Sequence, residues 1–251
     1  MTPDEVCAAI NELAVADGYQ SFGGRLVIGR DPRATVPAGA LLDAAMREAV
    51  QARFARRFEV FDRRAVHSIW MKWYLNAFIP PVLLADVVLG QTIAVELPAL
   101  AFVISEDSRV EAVRISDVSD SAGEDPFRRF RALVFHHFAP LIEMWCVRTD
   151  VTARVFWSNV GNTFEAMLRR IETVSGPSPR LAEAQRLLDE ADFLGEPNPL
   201  FRAVHYVSEN GADVRLRRIC CLQYLLPDRR FCKACPVEEA REHFRLGGPA
   251  S

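Results

Sequence analysis

Four of the chain's six cysteines, Cys220, Cys221, Cys232 and Cys235, fall within sixteen residues, spaced C-C-x10-C-x2-C and followed by Pro236. Four thiolates at fixed spacing are a ligand set for a soft metal centre, and two centres fit four sulfurs: a tetrahedral zinc or a small iron–sulfur cluster. The first is a folding staple and the second an electron carrier. Structural zinc usually draws on two C-x2-C pairs separated by a loop. Here only Cys232 and Cys235 form such a pair, and the other half is an adjacent dyad. Neighbouring Cα atoms lie about 3.8 Å apart, and side chains of extended backbone alternate faces. The dyad therefore reaches one centre only if the chain turns locally. Two bridged irons offer a wider target than one ion, so the spacing leans toward the cluster and leaves zinc open.

The elements that must hold these residues read as mainly helical. Apolar residues at helical spacing predict a helix over 3–17 ending near Gly18, and a long one over 38–62. A helix with an aromatic stripe (His67, Trp70, Trp73, Tyr74, Phe78) follows, and Pro80-Pro81 should break or kink it. The stripe reads as core, with a ligand-facing wall as the lesser reading. Residues 25–30 read as a short strand. Residues 99–104 and 110–115 predict an antiparallel hairpin around Glu106-Asp107-Ser108. Two long helices over 127–147 and 152–174 should be antiparallel neighbours, with a further helix over 179–192. Gly195-Glu196-Pro197-Asn198-Pro199 is the most linker-like stretch. It divides a mainly helical α+β body, residues 1–195, from a small C-terminal four-cysteine module, residues 196–251.

Composition narrows the function by exclusion. With 251 residues, half of them hydrophobic, and a net charge of −3, the chain has no global electrostatic case for binding nucleic acid. The longest mostly apolar run, 77–90, contains Asp86 and two prolines and is shorter than the ~20 residues of a membrane span. An acidic N-terminus without a signal pattern leads to the expectation of a cytoplasmic protein, with loose membrane association left open. In a reducing compartment, clustered cysteines favour metal or redox chemistry over disulfides. Cys7 and Cys146 stand alone in helical patterns and read as small buried hydrophobes. No G-x-G-x-x-G or P-loop pattern provides for a nucleotide. Adjacent His136-His137 point about 100° apart on a helix, so they do not easily share a metal there and read as structural or hydrogen-bonding residues. Arg53, Arg56, Arg57, Arg63 and Arg64 read as a solvated helix face, or alternatively as a patch for an acidic redox partner.

The segment Arg217-Arg218-Ile219-Cys220-Cys221-Leu222-Gln223-Tyr224-Leu225-Leu226-Pro227, with Cys232-x2-Cys235-Pro236, resembles the C-terminal motif of the ferric-siderophore reductases, the FhuF-like family. A second stretch, His136 to Leu141 followed by Arg154-Val155-Phe156-Trp157-Ser158-Asn159, is similar to that family's histidine-and-proline segment and Arg-x-x-Trp-x-Asn run. The resemblance implies a [2Fe–2S] cluster on Cys220, Cys221, Cys232 and Cys235, and one-electron reduction of hydroxamate-bound iron(III). It also implies a body like the C-terminal region of NRPS-independent siderophore synthetases. With no dinucleotide motif, electrons would come from a separate ferredoxin or flavoprotein. Arg217, Arg218, Arg229, Arg230 and Lys233 would raise the potential of a reduced cluster, if they are more than surface charge. Tyr224, Trp157 and Asn159 are further candidates to tune the cluster or face the substrate. A zinc-stapled binding protein, and an iron–sulfur carrier or sensor that does not act on siderophores, are the competing readings.

Overall fold

A computed structural model describes residues 1–15, 19–20, 23–27, 32–59, 61–121, 123–147, 149–209, 211–227 and 230–246. The first helix, α1 (Pro3–Val15), opens on a reciprocal cap. The Glu5 amide donates to Thr2 Oγ1 at 3.3 Å, and the Thr2 amide donates to Glu5 Oε2 at 2.7 Å. Its expected end at Gly18 lies outside the described residues, as do positions 28–30 of the expected strand. What is described of that strand is β1 (Leu26–Val27). After β2 (Thr35–Pro37), the helix expected over 38–62 is shorter: a 3-10 turn over Ala38–Leu42, then α2 (Ala44–Ala55). Asp43 separates the two because its carboxylate takes the Met46 amide at 2.9 Å as an N-cap.

The central element is α3 (Arg63–Leu83), N-capped by Asp62 and buried almost all round from Ala65 onward. A helix that is apolar on every side belongs inside a core, and α3 packs against α6 (Ala153–Ser175) there. Trp70 stacks on Trp145 at 4.8 Å, and Tyr74 meets Phe102 edge-on at 5.2 Å. The stripe is core, apart from half-buried His67 and half-buried Trp73, which lies beneath the Arg109 guanidinium. Pro80 and Pro81 do not end the helix. Pro80 leaves the Asn76 carbonyl without its i+4 donor, and Arg25 Nη1 takes that oxygen at 3.2 Å. The helix runs through to Leu83 and then widens into a π turn, Leu84–Val88, closed by the Leu89 amide on the Leu84 carbonyl.

The strand β3 (Gln91–Ile93) pairs with β6 (Val118–Asp120). Between them lies the expected hairpin, β4 (Ala101–Ile104) and β5 (Val110–Arg114), antiparallel and completing a four-stranded sheet of order β1-β5-β4-β2. The helix expected over 127–147 is three pieces: α4 (Pro126–Arg129), a π segment over Ala132–Phe138, and α5 (Ala139–Cys146), which packs on α6. His137, in the π segment, is buried; its Nδ1–H donates to the Val95 carbonyl, and its Nε2 accepts from the Tyr74 hydroxyl. This is the hydrogen-bonding role expected of it. Cys7 is buried and Cys146 half-buried, and burial pushes the Cys7 thiol up to about 11.

Helix α7 (Pro179–Asp189) is followed by a short pair, β7 (Asp192–Phe193) and β8 (Glu196–Pro197). The linker-like stretch is fastened to α7: buried Asn198 donates to the Leu187 and Glu190 carbonyls. A hairpin with no sequence forewarning follows, β9 (Val204–Glu209) and β10 (Ala212–Arg217), then the cysteine segment and α8 (Glu238–Arg245). Residues up to Leu226 join the one main core. The α+β, mainly helical class expected from the sequence holds. Among the described residues, no helix is long and apolar enough to cross a membrane.

Candidate metal centre

The polar residues of α6 recur at 158, 159, 162 and 165, a stripe along one face. Alternate residues of β10 share one side of the hairpin, and Arg215 and Arg217 use that side to meet the stripe. Arg215 bonds to Asn162 and Glu165, and Arg217 Nη2 donates to Asn159 Oδ1. Tyr206 on β9 adds its hydroxyl to Glu165. The close approach depends on Gly161, where a Cβ would overlap the methyl of Ala203.

Beyond β10 the backbone is pinned to two helices. Ser158 Oγ donates to the Ile219 carbonyl at 3.1 Å, and Ser68 Oγ, on α3, donates to the Cys221 carbonyl at 2.8 Å. Asn159 Nδ2 braces Ser68 Oγ at 3.0 Å. Leu222 then adopts the left-handed conformation, with φ of 61°. This is the local turn the vicinal dyad requires, and it aims the Leu222 amide at Cys220 Sγ, 3.3 Å away. On the second arm the Cys235 amide donates to the Cys232 carbonyl at 2.9 Å, and the Arg217 amide to the Ala234 carbonyl at 2.8 Å.

Pairwise side-chain hydrogen bonds link the sulfurs in a row, Cys221 to Cys232, Cys232 to Cys235 and Cys235 to Cys220. Cys221 Sγ lies 3.9 Å from Cys232 Sγ. The thiols of Cys221 and Cys235 donate to the sulfurs of Cys232 and Cys220, which raises the donors and lowers the acceptors, Cys220 to about 7. Two cations face the set. Lys72 Nζ stands 3.7 Å from Cys221 Sγ and 2.8 Å from Gln223 Oε1. Arg217, 1% exposed, further lowers Cys220, Cys221 and Cys232. Its Nε has no hydrogen-bond partner among the described residues, and no carboxylate there pairs with either cation. No three His, Cys, Asp or Glu side chains among the described residues are arranged as ligands of a single metal ion.

The residues singled out in the sequence divide clearly. Arg217 and Asn159 belong to this site. Tyr224 is 38% exposed, its ring against Phe231 at 5.3 Å, and burial and then the nearby Cys220 and Cys235 raise its phenol. Arg218 faces solvent with only its amide engaged, on the Ala203 carbonyl. Trp157 is half-buried against the core, and Arg230 and Lys233 are exposed. Arg229 lies outside the described residues. Lys72, Ser68 and Ser158 were not singled out. The available signal was Lys72 itself, a lone cation between Trp70-Met71 and Trp73-Tyr74.

Residues 68–214 match the ferric iron reductase FhuF-like transporter family. The chain belongs to this family. The matched span covers Ser68, Lys72 and Asn159 but stops before Cys220, so the cysteines rest on their own geometry. A relative of this FhuF-like protein, the ferric siderophore reductase of Escherichia coli (strain K12), is 24% identical over 180 residues, covering 70% of this chain and 67% of the relative. Among solved structures, ATP-bound aerobactin synthetase IucA from a hypervirulent pathotype of Klebsiella pneumoniae matches with a TM-score of 0.57 at 11% identity. Aerobactin synthetase IucC from the same source matches at 0.56 and 11%. These likenesses cover 79% and 78% of the FhuF-like chain and 48% and 46% of the synthetases, so the chain spans about half their length. At such identity the likeness is one of fold, and it agrees with the expected siderophore-synthetase-like body.

Proposed function

We propose that the protein is a ferric-siderophore reductase that binds a [2Fe–2S] cluster through Cys220, Cys221, Cys232 and Cys235. It reduces hydroxamate-chelated iron(III) by one electron in the cytoplasm. In this reading residues 1–195 form the siderophore-binding body and residues 196–251 the module that carries the centre. What supports it most is Arg217. A buried guanidinium beside Cys220, Cys221 and Cys232, and lacking a carboxylate partner among the described residues, calls for an anionic neighbour. Thiolates ligating a cluster supply that charge, and neutral thiols do not. Two amide donors to sulfur fit as well, the Leu222 amide on Cys220 and the Val237 amide on Cys235.

The cluster, when bound, supplies one-electron transfer at a potential set by its surroundings. The chain's own residues set those surroundings. Lys72 and Arg217 stabilise negative charge on the sulfurs, which favours the reduced state and raises the potential. Ser68, Ser158 and Asn159 fix the carbonyls that flank the dyad. The substrate's chemistry needs nothing more from the protein than position and an electron. Hydroxamate oxygens are hard ligands that hold iron(III) well and iron(II) poorly, so one electron loosens the chelate. The electron itself comes from a separate ferredoxin or flavoprotein.

Anaerobic purification with metal and sulfide analysis is the first test. Two irons and two sulfides per chain with visible absorption are expected, whereas one zinc and no colour would establish the staple. Mixing pre-reduced protein with a ferric trihydroxamate should reoxidise it stoichiometrically, and Cys232→Ser should abolish both colour and reaction. A coloured protein inert toward every ferric chelate would be a carrier or sensor instead.

A further inference from the structure

A cavity of about 520 Å³ opens between one face of α2, the start of α3 and the end of α5. Its size suits a small-molecule site. Its walls hold polar atoms that find no partner among the described residues: both side-chain atoms of Gln51, the indole N–H of Trp145 and Nδ1 of His67. Gln51 and Trp145 are 7% and 2% exposed. Buried polar groups are ordinarily satisfied, and four unpartnered atoms in the walls of one cavity mark a place where something else completes them. The rest of the lining mixes apolar residues with Arg47, Arg63, Thr149 and one carboxylate, Glu48.

The cavity also adjoins the cysteines. His67 lines it, and the next residue, Ser68, holds the Cys221 carbonyl. Residues adjacent on a helix point about 100° apart, so the cavity and the sulfurs occupy neighbouring faces of α3. Tyr224, whose phenol senses Arg64, lies near the same helix start.

We infer that this cavity is where the iron chelate docks, its organic arms meeting Gln51, Trp145 and Arg63 within one helix face of the sulfurs. The inference rests on the reductase reading. The unpartnered set names the ligand's chemistry. Trp145 N–H can only donate and so needs an acceptor oxygen, while the Gln51 amide needs one acceptor and one donor. Amide and hydroxamate groups offer both. His67 is neutral at pH 7, burial and then Arg63 lowering it to about 4, and it leaves the cationic duty to the arginines.

The test uses the gallium(III) complex of a linear trihydroxamate, which copies the ferric complex but accepts no electron. Binding to the full chain is followed by calorimetry and by tryptophan fluorescence. Gln51→Leu should weaken binding about tenfold or more while raising Tm, because it deletes two unsatisfied buried atoms. A merely structural amide would give the reverse, a lower Tm with unchanged binding, and would overturn the inference. Ala52→Trp, on the exposed side of α2, should fill the cavity and abolish saturable binding with the visible spectrum unchanged. If that variant does not fold, Gln51→Leu decides. Wild type that reduces the ferric complex, with a KM unaltered in both variants, would overturn the docking site and leave the reductase reading standing. Wild type that binds the gallium complex through Gln51 yet never reduces the ferric one would uphold the site and overturn the reading. Wild type that neither binds nor reduces would overturn both.

Discussion

Two buried charge clusters in this molecule are built on opposite plans. Around the π turn after α3, Asp86 is nearly inaccessible and meets Arg129 Nε and Arg180 Nη2, each at 3.1 Å. Arg129 also reaches Glu183 at 3.0 Å. Two arginines face two carboxylates, so the charges balance within the cluster even though Asp86 Oδ1 and Arg129 Nη2 have no hydrogen-bond partner among the described residues. Around the cysteines, Arg217 and Lys72 face sulfur and amide oxygen, and among the described residues neither pairs with a carboxylate. A closed cluster holds elements together, whereas an open one keeps cationic charge for a group whose own charge can change.

The comparison breaks or sharpens under substitution. The largest effect belongs to the closed cluster: Asp86→Ala leaves two buried arginines short of an anion and should cost about 3–5 kcal/mol in denaturant unfolding. Its centre, loaded after folding, should keep its potential. Arg217→Met should do the opposite. In cluster-free protein it should cost no more than about 1 kcal/mol, because the lost charge-assisted bond to Asn159 is offset by removing a buried guanidinium that has no carboxylate partner. In loaded protein, redox titration should find the potential lowered by about 60 mV, a tenfold change for a one-electron couple. A large loss of stability in the cluster-free protein with no redox shift would place Arg217 among the structural arginines.

A third prediction concerns pH. Burial holds His137 at about 3 against the opposing hydrogen bond to the Val95 carbonyl, so it is neutral in the fold and protonates near 6.5 when unfolded. The unfolded chain then binds the extra proton below that pH, and stability is fully present above it and lost as pH falls toward 3. Between pH 6.5 and 5 the loss from this residue is about 2 kcal/mol. Urea titrations of His137→Gln should show that much less acid sensitivity. The smallest effect is Arg218→Gln. Exposed beside the buried Arg217, it should leave potential and stability unmoved, and a shift equal to that of Arg217→Met would contradict the distinction between them.

Much of this was legible in the sequence where the physics is local. The β4–β5 hairpin follows from alternation and a turn, α6 and α7 from periodicity, and the cysteine spacing from ligand chemistry. What escaped was long-range. Pro80 and Pro81 break a helix by rule, yet here Arg25, some fifty residues away, takes the freed carbonyl. Ser68, Lys72 and Asn159 look like unremarkable polar interruptions until Cys221 and Arg217 arrive from 58 to 153 residues away. The β9–β10 hairpin hid because its inward side carries arginines, which read as solvent-facing. The cavity was illegible for the same reason: Gln51 and Trp145 meet only in space.

The pinning of Ile219 and Cys221 to Ser158 and Ser68 has a consequence in time. Both serines precede Ile219 in the chain by at least 61 residues. The two serines that receive the dyad are therefore synthesised before its first thiol. If the proposed cluster is correct, cells starved of iron should accumulate a folded, colourless form ready to be loaded.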